Sequence, residues 1–134
     1  MKFILSIVFC LGFLNLSFGQ KSIKDIKVYN MWSVYDSNNK KWKEWKPNDE
    51  VFILNYNNSG NIARCRLNDE IIIYTKSETT RMITDTSSNG YEYQEIEVKG
   101  GKYSITYTFR FYENNPDFDL ELFVGAVGIR FAKK

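Results

Sequence analysis

Acid–base and nucleophilic chemistry usually relies on a group that titrates near neutrality, and this chain has no histidine. That removes Ser-His-Asp and Cys-His catalysis, and with them histidine-based zinc and copper sites. Carboxylates remain. Asp117, Asp119 and Glu121 alternate in "NPDFDLE" and share one face of a strand, where they could gather calcium with Asn115 nearby. No helix-loop-helix calcium loop is present, and a solvated outer face opposite Phe118, Leu120 and Leu122 accounts for the same residues. Glu95 and Glu97 fall on an outer surface, so a glycosidase-like pair has no cleft to occupy. Asp49-Glu50 and Asp69-Glu70 flank strand starts and read as turn residues. No glycine-rich phosphate loop precedes a helix. The expectation is therefore no enzyme, no cofactor and no metal, and a carboxylate-dependent hydrolase is the only catalytic reading left open.

Binding chemistry has a better foothold in "YDSNNKKWKEWKP", Tyr35 to Pro47. Asparagine tolerates left-handed backbone well, so Asn38-Asn39 reads as the centre of a hairpin turn. Counting outward puts Tyr35 opposite Trp42 and Trp32 opposite Trp45, and the odd spacing sends Trp42 and Trp45 to opposite faces. One face collects Val28, Trp32, Val34, Trp45 and Pro47, with Lys43 as a rim residue whose methylenes lie along the core. The other collects Tyr29, Met31, Ser33, Tyr35, Trp42, Glu44 and Lys46. The first is expected to face the core, which makes Trp45 structural filler. Trp42, Tyr35, Tyr29 and Lys46 are then the candidate ligand-binding residues, with Lys41 and Glu44 on their rim. An aromatic pair of this kind can stack on a sugar ring, a peptide or another protein. It can equally shield the sheet beneath a loop.

The elements that must hold these residues begin after an apolar run. Lys2 precedes "FILSIVFCLGFL" and then "NLSFGQ", the pattern of a secretory signal peptide over residues 1–19 with cleavage after Gly19. The alternative is an uncleaved anchor, for which the apolar run is short. Cys10 lies inside that run, behind Ile7-Val8-Phe9, and lacks the small residues that lipid attachment requires. Residues 20–134 then form a single exported domain, secreted or periplasmic and long enough for a real core. Lysine, asparagine and isoleucine occur 13 times each and arginine 5 times, a bias typical of an AT-rich bacterial genome. Without Lys2, the 18 basic and 16 acidic residues leave a net charge of +1. No global field draws such a domain to nucleic acid or an anionic membrane. The signal segment, if uncleaved, is the only expected membrane contact. Cys65, in "IARCRLN", has no partner for an internal disulfide and reads as a small buried hydrophobe. Ala63 and Leu67 share its face, and Arg64 and Arg66 the other.

Apolar residues recur mainly with period two, as in "YSITYTFRFY" from Tyr103 to Tyr112, where Tyr103, Ile105, Tyr107, Phe109 and Phe111 line one face. Gly100-Gly101 reads as a two-residue loop pairing Val98 with Tyr103, Ile96 with Ile105, Glu97 with Ser104 and Glu95 with Thr106. Carried further, that register sets Glu92 opposite Phe109, so a bulge or strand end is expected before that point. Further strands are predicted over Val51–Tyr56, Ile62–Leu67, Ile71–Lys76 and Met82–Asp85. Leu120, Leu122 and Val124 are apolar at even positions, but Val127, Ile129 and Phe131 at odd ones, which requires a bulge or corner near Gly125-Ala126.

These signals predict an all-β domain of about eight short strands, as a small antiparallel barrel or a two-sheet sandwich. Asn30-Met31-Trp32 near the start and Arg130 near the end resemble lipocalin-type barrels, in which an early tryptophan packs against a late arginine. The resemblance covers two positions, and Asn30 stands where that pattern has glycine. It implies a barrel with Trp32 and Arg130 in contact. The functional expectation is a non-catalytic binding module of the cell envelope whose partner is a small molecule, a glycan or an envelope protein, not a nucleic acid. Its contact surface would be Trp42 with Tyr35 or the barrel mouth, and a cavity lined by Tyr103, Tyr107 and Phe109 would favour a small ligand. The alternative is a secreted inhibitor or protein-interaction domain acting through "SETTRMITDTSSNG", the longest polar loop.

Overall fold

A computed structural model of the protein describes residues 25–56, 59–66, 68–77, 80–101 and 104–134. The expected signal peptide with Cys10, and also Leu67 and Tyr103, lie outside them. The described chain is almost entirely strand: β1 (Ile26–Asp36), β2 (Lys41–Trp42), β3 (Lys46–Tyr56), β4 (Asn61–Arg66), β5 (Ile71–Thr75), β6 (Ile83–Thr86), β7 (Glu92–Gly100), β8 (Ile105–Tyr112), β9 (Leu120–Val124) and β10 (Val127–Ala132). Every pairing is antiparallel. The wall runs β1-β3-β4-β5-β7-β8-β9-β10 and closes when β10 returns to β1, with Trp32 opposite Phe131 and Val34 opposite Ile129. It is a closed eight-stranded barrel, not a sandwich, and β2 and β6 are additions to β1 and β7. Closure removes the open edges that an eight-stranded sheet would otherwise present.

Strand alternation fills the interior with rings. Phe52, Phe109, Phe131 and Leu120 are completely buried, and each large apolar side chain removed from water contributes about 1.5–3 kcal/mol. Phe52 meets Phe109 at 5.8 Å and Phe131 at 5.2 Å, both edge to face, and Tyr74 meets Tyr107 and Phe109 at 5.0 Å each. Such tilted contacts suit the ring quadrupoles.

The first strand contains an irregularity that reverses its faces. Tyr29 pairs with Glu50 and Met31 with Pro47, so the β1–β3 register slips between them. Between these pairs β1 advances two residues and β3 three, and side-chain parity along β1 changes across the slip. Tyr29 therefore points inward and is 5% exposed, whereas Val28 points outward and is 42% exposed, the reverse of the uniform alternation expected from sequence. After the slip, Trp32 faces the interior and packs 6.5 Å from Phe131. Its neighbour across β3 is Lys46, not Trp45. Trp45 packs instead on an outer cluster of Tyr93, Tyr112, Phe118 and Ala132.

Two turns differ from expectation. Gly100 pairs with Ile105 and Val98 with Tyr107, so the β7–β8 loop runs from Gly101 to Ser104 and the register moves by four residues from that of a Gly100-Gly101 turn. Gly101 and Ser104 both have positive φ, 75° and 51°. An even shift keeps Ile96 and Val98 inside but sets Glu95 opposite Arg110, and the ladder runs to Tyr93–Tyr112 with no bulge. Gly125-Ala126 is a hairpin turn between β9 and β10, closed by Val124 and Val127. The change of apolar parity there marks a chain reversal, for which Gly125 supplies a φ of 58°.

The wall is interrupted at one strand. Thr75 pairs with Lys99 and Ile83 with Glu95, so β5 and β6 lie along the same side of β7. The chain advances eight residues between those pairs while β7 advances four. The excess falls between Thr75 and Ile83, and among the described residues β6 pairs with β7 alone.

Candidate binding site at the barrel mouth

The starts of β1, β7 and β9 and the ends of β3, β8 and β10 converge on one opening. There the barrel holds a cup of about 770 Å³, with Tyr29, Leu54 and Phe111 among its apolar lining and Gln94 and Met82 beside them. Asp25, Lys27, Glu113, Asp119 and Lys133 supply its charged groups. Lys27 pairs with Phe52, so it faces inward, yet it is exposed. An inward lysine in contact with water marks the open end. The volume lies within the roughly 300–1,000 Å³ of ordinary small-molecule sites.

Tyr29 reaches the cup because of the slip between β1 and β3. Its ring leans on Phe52 at 5.9 Å and Phe131 at 6.0 Å, and its hydroxyl has no hydrogen-bond partner among the described residues. Burial, and then the charge of Asp119, push its pKa above the ordinary tyrosine value. Asp119 is itself held in place, its carboxylate accepting from the backbone N–H of Lys133 at 3.2 Å.

Deeper in the barrel lies an ion pair absent from the sequence reading. Glu50 is 1% exposed and bonds the Arg64 guanidinium, which donates in turn to the Tyr74 hydroxyl at 3.3 Å. Asn48 donates to the second Glu50 oxygen at 2.7 Å, and Arg66 approaches the first at 3.4 Å. Rings of Phe52 and Phe131 lie 5.7 and 5.5 Å from the Arg64 guanidinium. Burial works against the Arg64 charge, but the hydrogen bond and charge of Glu50 outweigh it and hold the pKa above the ordinary value. Glu50 is therefore an interior strand residue and not a turn residue, and Arg64 and Arg66 are on the inward face. Ala63 and Cys65 take the outward one, where with Val51 and Ile53 they form a buried cluster. The available signal was parity: Glu50 lies two residues before Phe52 and four before Leu54, so one alternation carries all three inward.

The sequence candidates do not converge. Tyr29 lines the cup, but Tyr35 is six residues along β1, about 20 Å away at strand rise, and pairs with Trp42 outside the barrel. Their rings meet edge to face at 5.3 Å, in the register expected for a turn centred on Asn38-Asn39. Lys46 is exposed on β3 opposite Trp32. Trp42 lies over Arg130, whose guanidinium is 3.9 Å from the indole and 4.1 Å from the Phe118 ring. The tryptophan in contact with Arg130 is thus Trp42, whereas Trp32 is inside. Glu121 is buried, bonding Arg130 at 3.0 Å and the Tyr112 hydroxyl at 2.6 Å, so its face is not a solvated carboxylate row. Tyr107 and Phe109 are packed against Tyr74 and do not line the cup.

The fold and this opening define a class, an antiparallel eight-stranded barrel with a cup at one end. No protein-family model matches the chain, and no curated protein or solved structure matches it either.

Proposed function

We propose that the protein is a non-catalytic binding module of the bacterial cell envelope, taking a small amphiphilic molecule in the barrel mouth. The single observation that carries this reading is the 770 Å³ cup whose lining includes Tyr29, Leu54 and Phe111. Barrel mouths with an apolar lining and a few polar groups are common ligand sites. The buried carboxylates favour no reaction: Glu50 is tied to Arg64, and Glu121 to Arg130 and Tyr112. Export would follow from the apolar segment at residues 1–19.

The test is titration with N-phenyl-1-naphthylamine, a neutral probe that fluoresces in apolar surroundings. Saturable binding is expected, and Leu54→Trp should abolish it by filling the cup while the thermal melt stays cooperative. Undiminished binding by Leu54→Trp would place the ligand elsewhere and overturn the reading.

A second reading, a secreted inhibitor or protein-interaction domain, draws on β6. All four of its residues are exposed, Met82 and Ile83 are among the exposed large apolar side chains, and its outer edge has no strand beside it among the described residues. An edge of this kind can accept an extended peptide. Capture of an envelope protein by the native chain, lost on Thr84→Pro with probe binding retained, would favour it.

A further inference from the structure

We infer that Tyr29 is the orienting hydrogen-bond donor of the cup, and that it selects ligands whose polar end is an uncharged acceptor such as a hydroxyl, ether or carbonyl oxygen. This rests on the cup being the ligand site.

Three observations converge. The Tyr29 side chain is 95% buried, since its exposure is 5%, and it lines the cup. Its hydroxyl has no hydrogen bond to any described residue, so its partner must come from whatever occupies the cup, and buried polar groups seldom stay unmatched. Second, Phe52 and Phe131 hold its ring from two directions, and a preset donor wastes little conformational freedom on capture. Third, the groups around it disfavour an anion. The Asp119 carboxylate acts directly on the Tyr29 hydroxyl and opposes negative charge there, as it opposes the phenolate. Asp25 and Glu113 also line the cup. The opposing cations, Lys27 and Lys133, are both exposed, where water weakens their pull. The elevated pKa keeps the phenol protonated, and hence a donor, at neutral pH.

Displacement of N-phenyl-1-naphthylamine by decanol and by decanoate tests the inference, because the two share a tail and differ at the polar end. Decanol is expected to displace the probe at the lower concentration, because the Asp119 charge opposes the carboxylate. Tyr29→Phe removes only the hydroxyl, so decanol affinity, corrected for the variant's own affinity for the probe, should fall about tenfold, the size of one hydrogen bond of ordinary strength. Asp119→Asn should strengthen decanoate selectively. Equal or better displacement by decanoate in the native protein, or a decanol affinity untouched by Tyr29→Phe, would overturn the assignment of Tyr29 while leaving the cup as a binding site. Failure of the probe to bind at all would remove the cup reading, and the Tyr29 inference with it.

Discussion

Arg130 is sandwiched against Trp42, its guanidinium 3.9 Å from the indole, with Phe118 at 4.1 Å and Glu121 completing an ion pair at 3.0 Å. This stack fastens the β1–β2 hairpin to the outside of β10. Gly128 makes room for it: a Cβ there would lie 3.0 Å from the indole. Arg130→Ala should lower unfolding free energy by about 2–4 kcal/mol, since it removes two cation–π contacts and strands a buried carboxylate. Arg130→Lys should recover only part, because an ammonium cannot lie flat between two rings. Urea denaturation of these variants with Trp42→Ala, read as a double-mutant cycle, gives the coupling; additive losses would show that the stack contributes nothing.

Glu50 and Arg64 make a second prediction. Replacing one partner leaves the other charged and buried, so Glu50→Gln should cost about 3–5 kcal/mol. Replacing both, as Glu50→Leu with Arg64→Met, should recover most of that loss, because hydrophobic pairs often substitute for buried ions at little cost. Guanidinium unfolding of the two variants checks both expectations. A double variant as weak as the single would contradict a pair held chiefly by its own charges.

Packing at the far end of β7 offers a geometric test. A Cβ at Gly100 would stand 2.6 Å from the Tyr74 ring, closer than such atoms approach. Gly100→Ala should destabilise by about 1–3 kcal/mol through displacement of that ring. Combined with Tyr74→Leu, its penalty should fall below the sum of the two single losses. A thermal melt for Gly100→Ala matching the native one would mean that Tyr74 does not lie over β7.

Alkali supplies the pH prediction. Burial raises the pKa of Tyr29, Tyr74 and Tyr112 above the ordinary 10.0; Asp119 adds to the first and the hydrogen bond to Glu121 to the third. A folded value above the unfolded one means that the stabilisation is complete below about pH 10 and is lost as pH rises toward the folded values. Phenolate absorbance should therefore show these three ionising only as the near-ultraviolet circular dichroism collapses. All nine tyrosines ionising near pH 10 with the dichroism intact would refute their burial.

Acid should act on the hairpin tip. Asp36 accepts from the side chain and backbone N–H of Asn39 and from the backbone N–H of Asn38, and these bonds hold its carboxyl below the ordinary 3.8. Its contribution is present above pH 4 and disappears as pH falls through the lower folded value. The Tyr35–Trp42 dichroism band should fade over that range, and Asp36→Asn should make it insensitive to acid.

Period-two patterning made the strands, their antiparallel order and the Tyr35–Trp42 pair legible. Facing was harder. Nothing in "VYNMW" announces that Asn30 is passed by a register slip, and without it Tyr29 and Val28 exchange sides. A two-residue Gly100-Gly101 turn sets Glu92 against Phe109, a conflict that the longer loop removes without a bulge. Arg64 was hidden by its type, because an arginine is placed inside only when its partner is known, and Glu50 lies on another strand 14 residues away. The cup depends on six strand ends meeting in space, and no local pattern encodes that meeting.

Phe52 packs edge to face on both Phe109 and Phe131, and Tyr29 leans on Phe52 and Phe131, so the cup is a well with a floor of rings. Any guest must back out by the doorway it came in through, tail last to enter the wider world if its head went in last. Lengthening that tail should reward binding only until it touches bottom, after which further methylenes are left standing in the water outside.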